Sequence, residues 1–267
     1  MTEPVSKSMH ATICRRLDEI AAEENITILL AIESGSRAWG FHSPDSDYDV
    51  RFIYTRPIDW FLTLGKKRDV VERPIDDLLD ISGWQLDKAL GLAIKGNAVL
   101  AEWLQSPIIY RAIPEAHQAV LDFCWGAMQP RPVMWHYLSL AQQHQSRAQT
   151  EDGRVRLKRL FYTLRPALSL RWMHKNDFDI PPMDMDSLCA GAALAEGEAE
   201  AIAKLIALKI ARAEKAVGAA PDALIFSIID RALDQTRETL KSLPDQPNGS
   251  LSAAADRLHI ALTKQLS

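Results

Sequence analysis

Residues 33–54 carry the run ESGSRAWGFHSPDSDYDVRFIY. Its second half, DYDVRFIY at 47–54, alternates in character. Tyr48, Val50 and Phe52 fall on one side of an extended chain, and Asp47 and Asp49 on the other, because successive strand residues point to opposite faces. The stretch just before the run, ITILLAIE at 26–33, is apolar and β-branched and predicts a buried strand. Between the two strands lie Gly35-Ser36-Arg37, a turn placed to open a short helix, and a polar loop over His42–Ser46.

Two carboxylates about 4 Å apart repel by about 4 kcal/mol at an effective dielectric near 20, so a close pair calls for a cation. Oxygen donors with no nearby His or Cys suit Mg²⁺ or Mn²⁺. Glycine at the end of the preceding strand lets backbone approach a ligand. The Ser36 hydroxyl and backbone N–H groups at a helix start suit phosphate oxygens. Arg37 adds a fork-shaped cation. A phosphate cradle beside a divalent-metal site is the equipment of phosphoryl or nucleotidyl transfer. The competing reading is an ordinary turn followed by a solvated edge strand.

Working outward, Ile13, Leu17 and Ile20 predict a helix over 10–24. Weaker strands are expected at Asp69–Glu72 and around Ile75–Ile81. From Gly83 the texture becomes helical, with segments near 84–95, 97–104, 113–127, 131–149, 154–174, 195–216, 221–241 and 250–265. The expected architecture is α/β (α+β): a small mixed-sheet core over residues 1–110, then a helical region over 111–267. Helix 154–174 places Lys158, Tyr162 and Arg165 on one face. Between 131 and 175 there are nine Lys and Arg residues (131, 147, 154, 156, 158, 159, 165, 171, 175) against two acids, 151 and 152. That cationic face with a stacking tyrosine suits a triphosphate, a base or an RNA end; the competing reading is a solvated helix face. Lys88 and His42 are read as solvated residues.

Composition limits the alternatives. The chain has 267 residues, 47% hydrophobic and 25% charged, as in ordinary globular proteins. Its net charge of −4 excludes a uniformly basic nucleic-acid coat, though not a local patch. Cys14, Cys124 and Cys189 are far apart, which argues against a disulfide framework or structural zinc site. The polar start and short apolar runs predict no membrane span and a cytoplasmic protein.

The run at 33–54, with GWQLDKAL, AEWLQSP and KRLFYTLRPALSLRW further on, resembles the RNA repair pathway DNA polymerase beta family of nucleotidyltransferases. The resemblance covers residues 31–175 well and the last third poorly. It implies a third acid on a later strand. Asp69, Glu72, Asp76, Asp77 and Asp80 are candidates. Asp80 is favoured because it leads into Ile81-Ser82-Gly83-Trp84, where the resemblance resumes; Asp77 is second. Alternation alone leaves Asp76 and Asp80 on one face of a 75–81 strand.

By the same resemblance, Asp47 and Asp49 bind two metal ions and Asp80 binds one. Gly35, Ser36 and Arg37 hold the β- and γ-phosphates of an NTP. NMP passes to an acceptor hydroxyl and pyrophosphate leaves. The resemblance points to an RNA 3′ end as acceptor. Rival readings are a small-molecule hydroxyl, a protein hydroxyl, or a non-catalytic nucleotide or RNA binder.

Overall fold

A computed structural model describes residues 3–75, 78–148, 154–211, 217–218 (backbone only), 222–244 and 251–266. The chain groups into two compact units: Met1–Ala38, Asp47–Met128 and Pro247–Ser267 form the first, and Trp39–Ser46 with Gln129–Gln246 the second.

The first unit opens with α1 (Lys7–Glu24), capped by the Ser6 hydroxyl on the Met9 N–H and ended by Asn25 in the left-handed region at φ 50°. Then come β1 (Thr27–Glu33), α2 (Ser36–Trp39), β2 (Tyr48–Thr55), α3 (Ile58–Leu62), β3 (Val70–Glu72), β4 (Leu79–Gln85), α4 (Leu86–Ile94), α5 (Ala98–Leu104), β5 (Ile109–Ala112) and α6 (Pro114–Ala127). The strands form one mixed sheet in the order β3-β4-β2-β1-β5. β1 runs antiparallel to β2 and β5, while β2 and β4 are parallel. β1 is flanked on both sides, which explains its unbroken apolar character.

Ile13, Leu17 and Ile20 of α1 pack with Ile28, Val50, Phe52, Tyr54 and Ile81 in one buried cluster. The opposite side of β2 meets α12 (Leu251–Leu266), where the Thr55 and Thr263 hydroxyls lie 3.1 Å apart. α12 also packs on α4 and α6.

The expected mixed α/β architecture with a helical C-terminal region is present. Several boundaries differ from expectation. The strand expected around 75–81 lies at 79–85, and α4 starts at Leu86 rather than 84. The register with β2 sets this: Phe52 stands opposite Gly83. A Cβ on Gly83 would lie 2.2 Å from Phe52 Cε2, so this ring fills the space a side chain would take. Gly83→Ala is therefore expected to lower stability by about 1–3 kcal/mol through overpacking, read by urea denaturation. Strand β5 and helix α3 were not anticipated.

The second unit holds α7 (Pro130–Gln145), β6 (Val155–Arg156), α8 (Leu157–Lys175), α9 (Met185–Gly191), α10 (Glu196–Ile210), β7 (Val217–Gly218) and α11 (Ala223–Ser242). β6 and β7 pair antiparallel. α8 packs on α7, α9 and α11 and is buried around most of its circumference. Segment 39–46 joins this unit. Phe41 stacks on Phe161 at 4.5 Å, and the buried Lys209 ammonium donates to the Ser43 hydroxyl at 3.3 Å. Among the described residues no helix is long and apolar enough to cross a membrane.

Candidate active site

The first cluster grows from the parallel pairing of β2 and β4. Asp49 and Asp80 are register partners, so their Cα atoms stand side by side on neighbouring strands. Both carboxylates are about 30% exposed, and both contact the Arg51 guanidinium. Arg51 Nη2 donates to Asp80 Oδ2 at 2.7 Å and to Asp49 Oδ1 at 3.4 Å. Its Nη1 donates to the backbone carbonyls of Val50 and Asp80, each at 2.9 Å.

Gly35 closes the other side of Asp49. It adopts φ +95°, and a Cβ there would lie 2.3 Å from Asp49 Oδ2. The glycine thus serves close approach to a carboxylate of its own chain. The Ser34 N–H donates to the Asp49 carbonyl at 2.7 Å, which fastens the turn to β2. Ser36 is half-buried at the start of α2.

Asp47 lies one residue before β2, exposed to solvent, and not on the strand as expected. Arg37 is 6% exposed. Its Nε donates to the Asp47 carbonyl at 3.2 Å, its Nη1 donates to the Pro4 carbonyl at 2.6 Å, and its guanidinium lies 3.7 Å over the Tyr48 ring. These contacts tie the chain start to the approach to β2.

Of the other acids considered, Asp69 pairs with Lys88 at 3.0 Å, a partner the solvated reading of Lys88 did not foresee. Glu72 pairs with Arg68 from β3, on the far side of β4 from β2. Asp76 and Asp77 lie outside the described residues.

Beneath Asp49 sits Glu33, fully buried at the end of β1. Its Oε1 accepts the Asp49 backbone N–H at 2.8 Å, and its Oε2 accepts the Tyr110 hydroxyl at 2.5 Å. Burial pushes the Glu33 carboxyl up to about 7, against the pull of these two donors. Burial and the Glu33 carboxylate likewise push the Tyr110 phenol up.

The folded chain holds the Glu33 proton up to about pH 7, and the unfolded chain releases it near 4.5. The native state therefore binds more protons across that window, and Glu33's share of stability falls as pH rises through it. The loss is about 3 kcal/mol, at about 1.4 kcal/mol per tenfold change in proton affinity. Glu33→Gln is expected to flatten that slope between pH 5 and 7.5 in urea titrations.

The second cluster belongs to the second unit. Tyr162 meets the Trp39 ring edge-on at 5.3 Å and His144 at 5.1 Å. Arg165 is 2% exposed; its guanidinium lies 4.7 Å over Trp39 and donates through Nε and Nη2 to the Met183 carbonyl. Lys158 is half-buried one turn before Tyr162. Arg159 Nη1 donates to His144 Nδ1 at 3.0 Å. Burial first, and then Arg159 and Arg147, hold the His144 ring below its usual range, which favours the neutral form.

The structure thus gathers Gly35, Asp49 and Asp80, sets Asp47, Ser36 and Arg37 along the same strands and turn, and places Tyr162 and Arg165 together on Trp39. Sequence reasoning missed Arg51, Glu33 and Tyr110. Arg51 shares a strand face with Asp49 two residues earlier, so alternation could have found it. Glu33 is a lone charge closing an apolar strand, a weaker signal.

The sequence profile of the RNA repair pathway DNA polymerase beta family matches residues 9–261. The chain belongs to that family. Membership places it among nucleotidyltransferases of the DNA polymerase beta type. The uncharacterized protein YcgL of Bacillus subtilis (strain 168) is similar: it is 37% identical over 235 residues, covering 88% of this chain and 89% of that protein. A nucleotidyltransferase-like protein from Exiguobacterium sibiricum, of known crystal structure, aligns over 86% of this chain and 75% of its own at 12% identity, with a TM-score of 0.32.

For this RNA repair pathway polymerase beta family member, the fit to a divalent cation rests on Asp49 and Asp80. Both supply hard oxygen donors, and one nitrogen of Arg51 already lies within 3.4 Å of both. That convergence fits a positive charge bridging the pair. Among the described residues, no group of three His, Cys, Asp or Glu side chains is gathered as an ion site.

Proposed function

We propose that the protein is an enzyme that transfers NMP from an NTP to an acceptor hydroxyl, with an RNA end as the acceptor. The observation that carries this reading is the placement of Asp49 and Asp80 at one level of a parallel strand pair, with Gly35 seated against Asp49. Asp49 and Asp80, joined by Asp47, would hold Mg²⁺ or Mn²⁺. The bound ion supplies charge neutralisation for the triphosphate and a lowered pKa for the attacking hydroxyl.

The chain's own residues supply the rest. Gly35 and Ser36 offer backbone and hydroxyl donors to phosphate oxygens at the start of α2. Asp80 takes the proton of the acceptor hydroxyl or fixes its carboxylate partner. Glu33, through the Asp49 N–H, keeps the strand end from shifting. The Lys158 and Tyr162 face, within the second unit and by itself, offers cationic and stacking surface to RNA. The family's description favours RNA as the acceptor.

The test is pyrophosphate release with Mg²⁺ or Mn²⁺, each NTP in turn, and an RNA pool bearing free 3′ hydroxyls. Release that requires RNA and names one NTP is the expected result. Release that proceeds with a small molecule or a protein and ignores RNA overturns the acceptor. NTP binding without release under any acceptor overturns the enzyme reading in favour of a nucleotide-binding protein.

A further inference from the structure

Arg51 stands where the sequence places no cation. Its head is held by two backbone carbonyls and two carboxylates, and its side chain is only 18% exposed. The two carbonyl bonds matter most. They are made by Nη1, so the Nη2 contacts to the two acids are the ones an arriving ion would replace. The carboxylates therefore come with a counter-cation built into the same strand.

A guanidinium and a divalent ion brought to Asp49 Oδ1 and Asp80 Oδ2 share the same negative charge and repel each other at close range, so each weakens the other's hold. We propose that Arg51 is a resident counter-cation that keeps the acid pair closed to free divalent ions and gives way when nucleotide and metal arrive together. This rests on the reading of Asp49 and Asp80 as the metal-holding acids.

The triphosphate changes the balance because its negative charge accompanies the ion and offers the released guanidinium a new anion to bind. Metal and nucleotide then bind with positive coupling, each raising the other's affinity by the same factor. Arg51 sets the size of that factor. It is a positioning residue for the acids, and it discourages metal capture in the nucleotide-free protein.

The experiment is Mn²⁺ binding to the nucleotide-free full-length protein, read by the EPR signal of free Mn²⁺. The wild type is compared with Arg51→Met, Arg51→Lys, and Arg51→Met combined with Asp49→Asn and Asp80→Asn. Each variant is first checked for a cooperative melt.

Arg51→Met is expected to bind Mn²⁺ about tenfold more tightly than wild type, with Arg51→Lys between them. A non-hydrolysable NTP analogue should tighten Mn²⁺ binding to wild type by a larger factor than to Arg51→Met. The triple variant should lose the gain. A folded Arg51→Met that binds Mn²⁺ no more tightly than wild type overturns the proposal, as does a gain that survives in the triple variant. If Arg51→Met does not melt cooperatively, unchanged affinity in Arg51→Lys overturns it.

The outcomes also separate this proposal from the transfer reading. A tenfold gain without pyrophosphate release from any NTP keeps the counter-cation and ends nucleotidyl transfer. Release by wild type with no gain in the variants does the reverse.

Discussion

Asp49→Asn is expected to lower pyrophosphate release by a few hundredfold, up to about a thousandfold, while leaving the melting temperature within a few degrees of wild type. Asparagine keeps the shape of the side chain, so Gly35 can still lie against it. What goes is the negative charge that would hold the divalent ion, and with it the ion's neutralisation of the charge that builds up as pyrophosphate departs. Removing one such electrostatic contribution from a catalytic site typically costs about 3–4 kcal/mol of transition-state stabilisation.

Stability should change little. The Arg51–Asp49 contact is the longer of the pair at 3.4 Å, and both groups keep some solvent. Partly exposed pairs of this kind contribute about 0–1 kcal/mol. Arg51 also retains Asp80 and its two carbonyl acceptors. Turnover within tenfold of wild type, from a protein with an unchanged melt, would remove Asp49 from the site.

Gly35→Ala should cost activity by a different route. The φ of +95° disfavours any side chain, and the new methyl would lie 2.3 Å from Asp49 Oδ2, so the carboxylate has to move. A displacement of about 1 Å in a catalytic group lowers the rate by about a hundredfold. The strained backbone should add about 1–3 kcal/mol of destabilisation.

Gly40 separates the two effects. It adopts φ +89°, but a Cβ there meets nothing within 4 Å. Gly40→Ala should lose a similar amount of stability and much less turnover. Equal losses of turnover in the two variants would mean that strain, not the Asp49 carboxylate, explains the Gly35 effect. The comparison needs only a melt and a kcat for each protein.

Much of the first unit is legible in the sequence because its signals are local. The apolar run of β1, the alternation in β2 and the 3.6-residue spacing of Ile13, Leu17 and Ile20 each identify an element without its partners. Asp80, the acid favoured by the resemblance, stands beside Asp49 in the β2–β4 register. The exact span of β4 was not legible, because it depends on which residue of β2 faces Gly83. β5 is four residues long and has too little sequence to show a period. The contact between Glu33 and Tyr110 joins residues 77 apart, and no spacing rule reaches that far. Arg37 was expected among phosphates on its fork-shaped cation and on the family resemblance. Its packing on Tyr48 and Pro4 depends on where the chain start lies, and the sequence does not state that. Likewise, the helical pattern of 250–265 reveals a helix but not that it packs on β2, α4 and α6.

That last helix has a consequence for synthesis. On a ribosome, the acid-bearing strands β2 and β4 are made well before the helix that covers one side of their sheet. Thr55 waits for Thr263, and Thr27 for the carbonyl of Leu266. Contacts spanning more than 200 residues close slowly, since a long loop must be ordered before they form. Until then the growing chain exposes an apolar sheet face, a period in which chaperone binding protects it from association. The residues that would do the chemistry are thus made long before the sheet that carries them is secured.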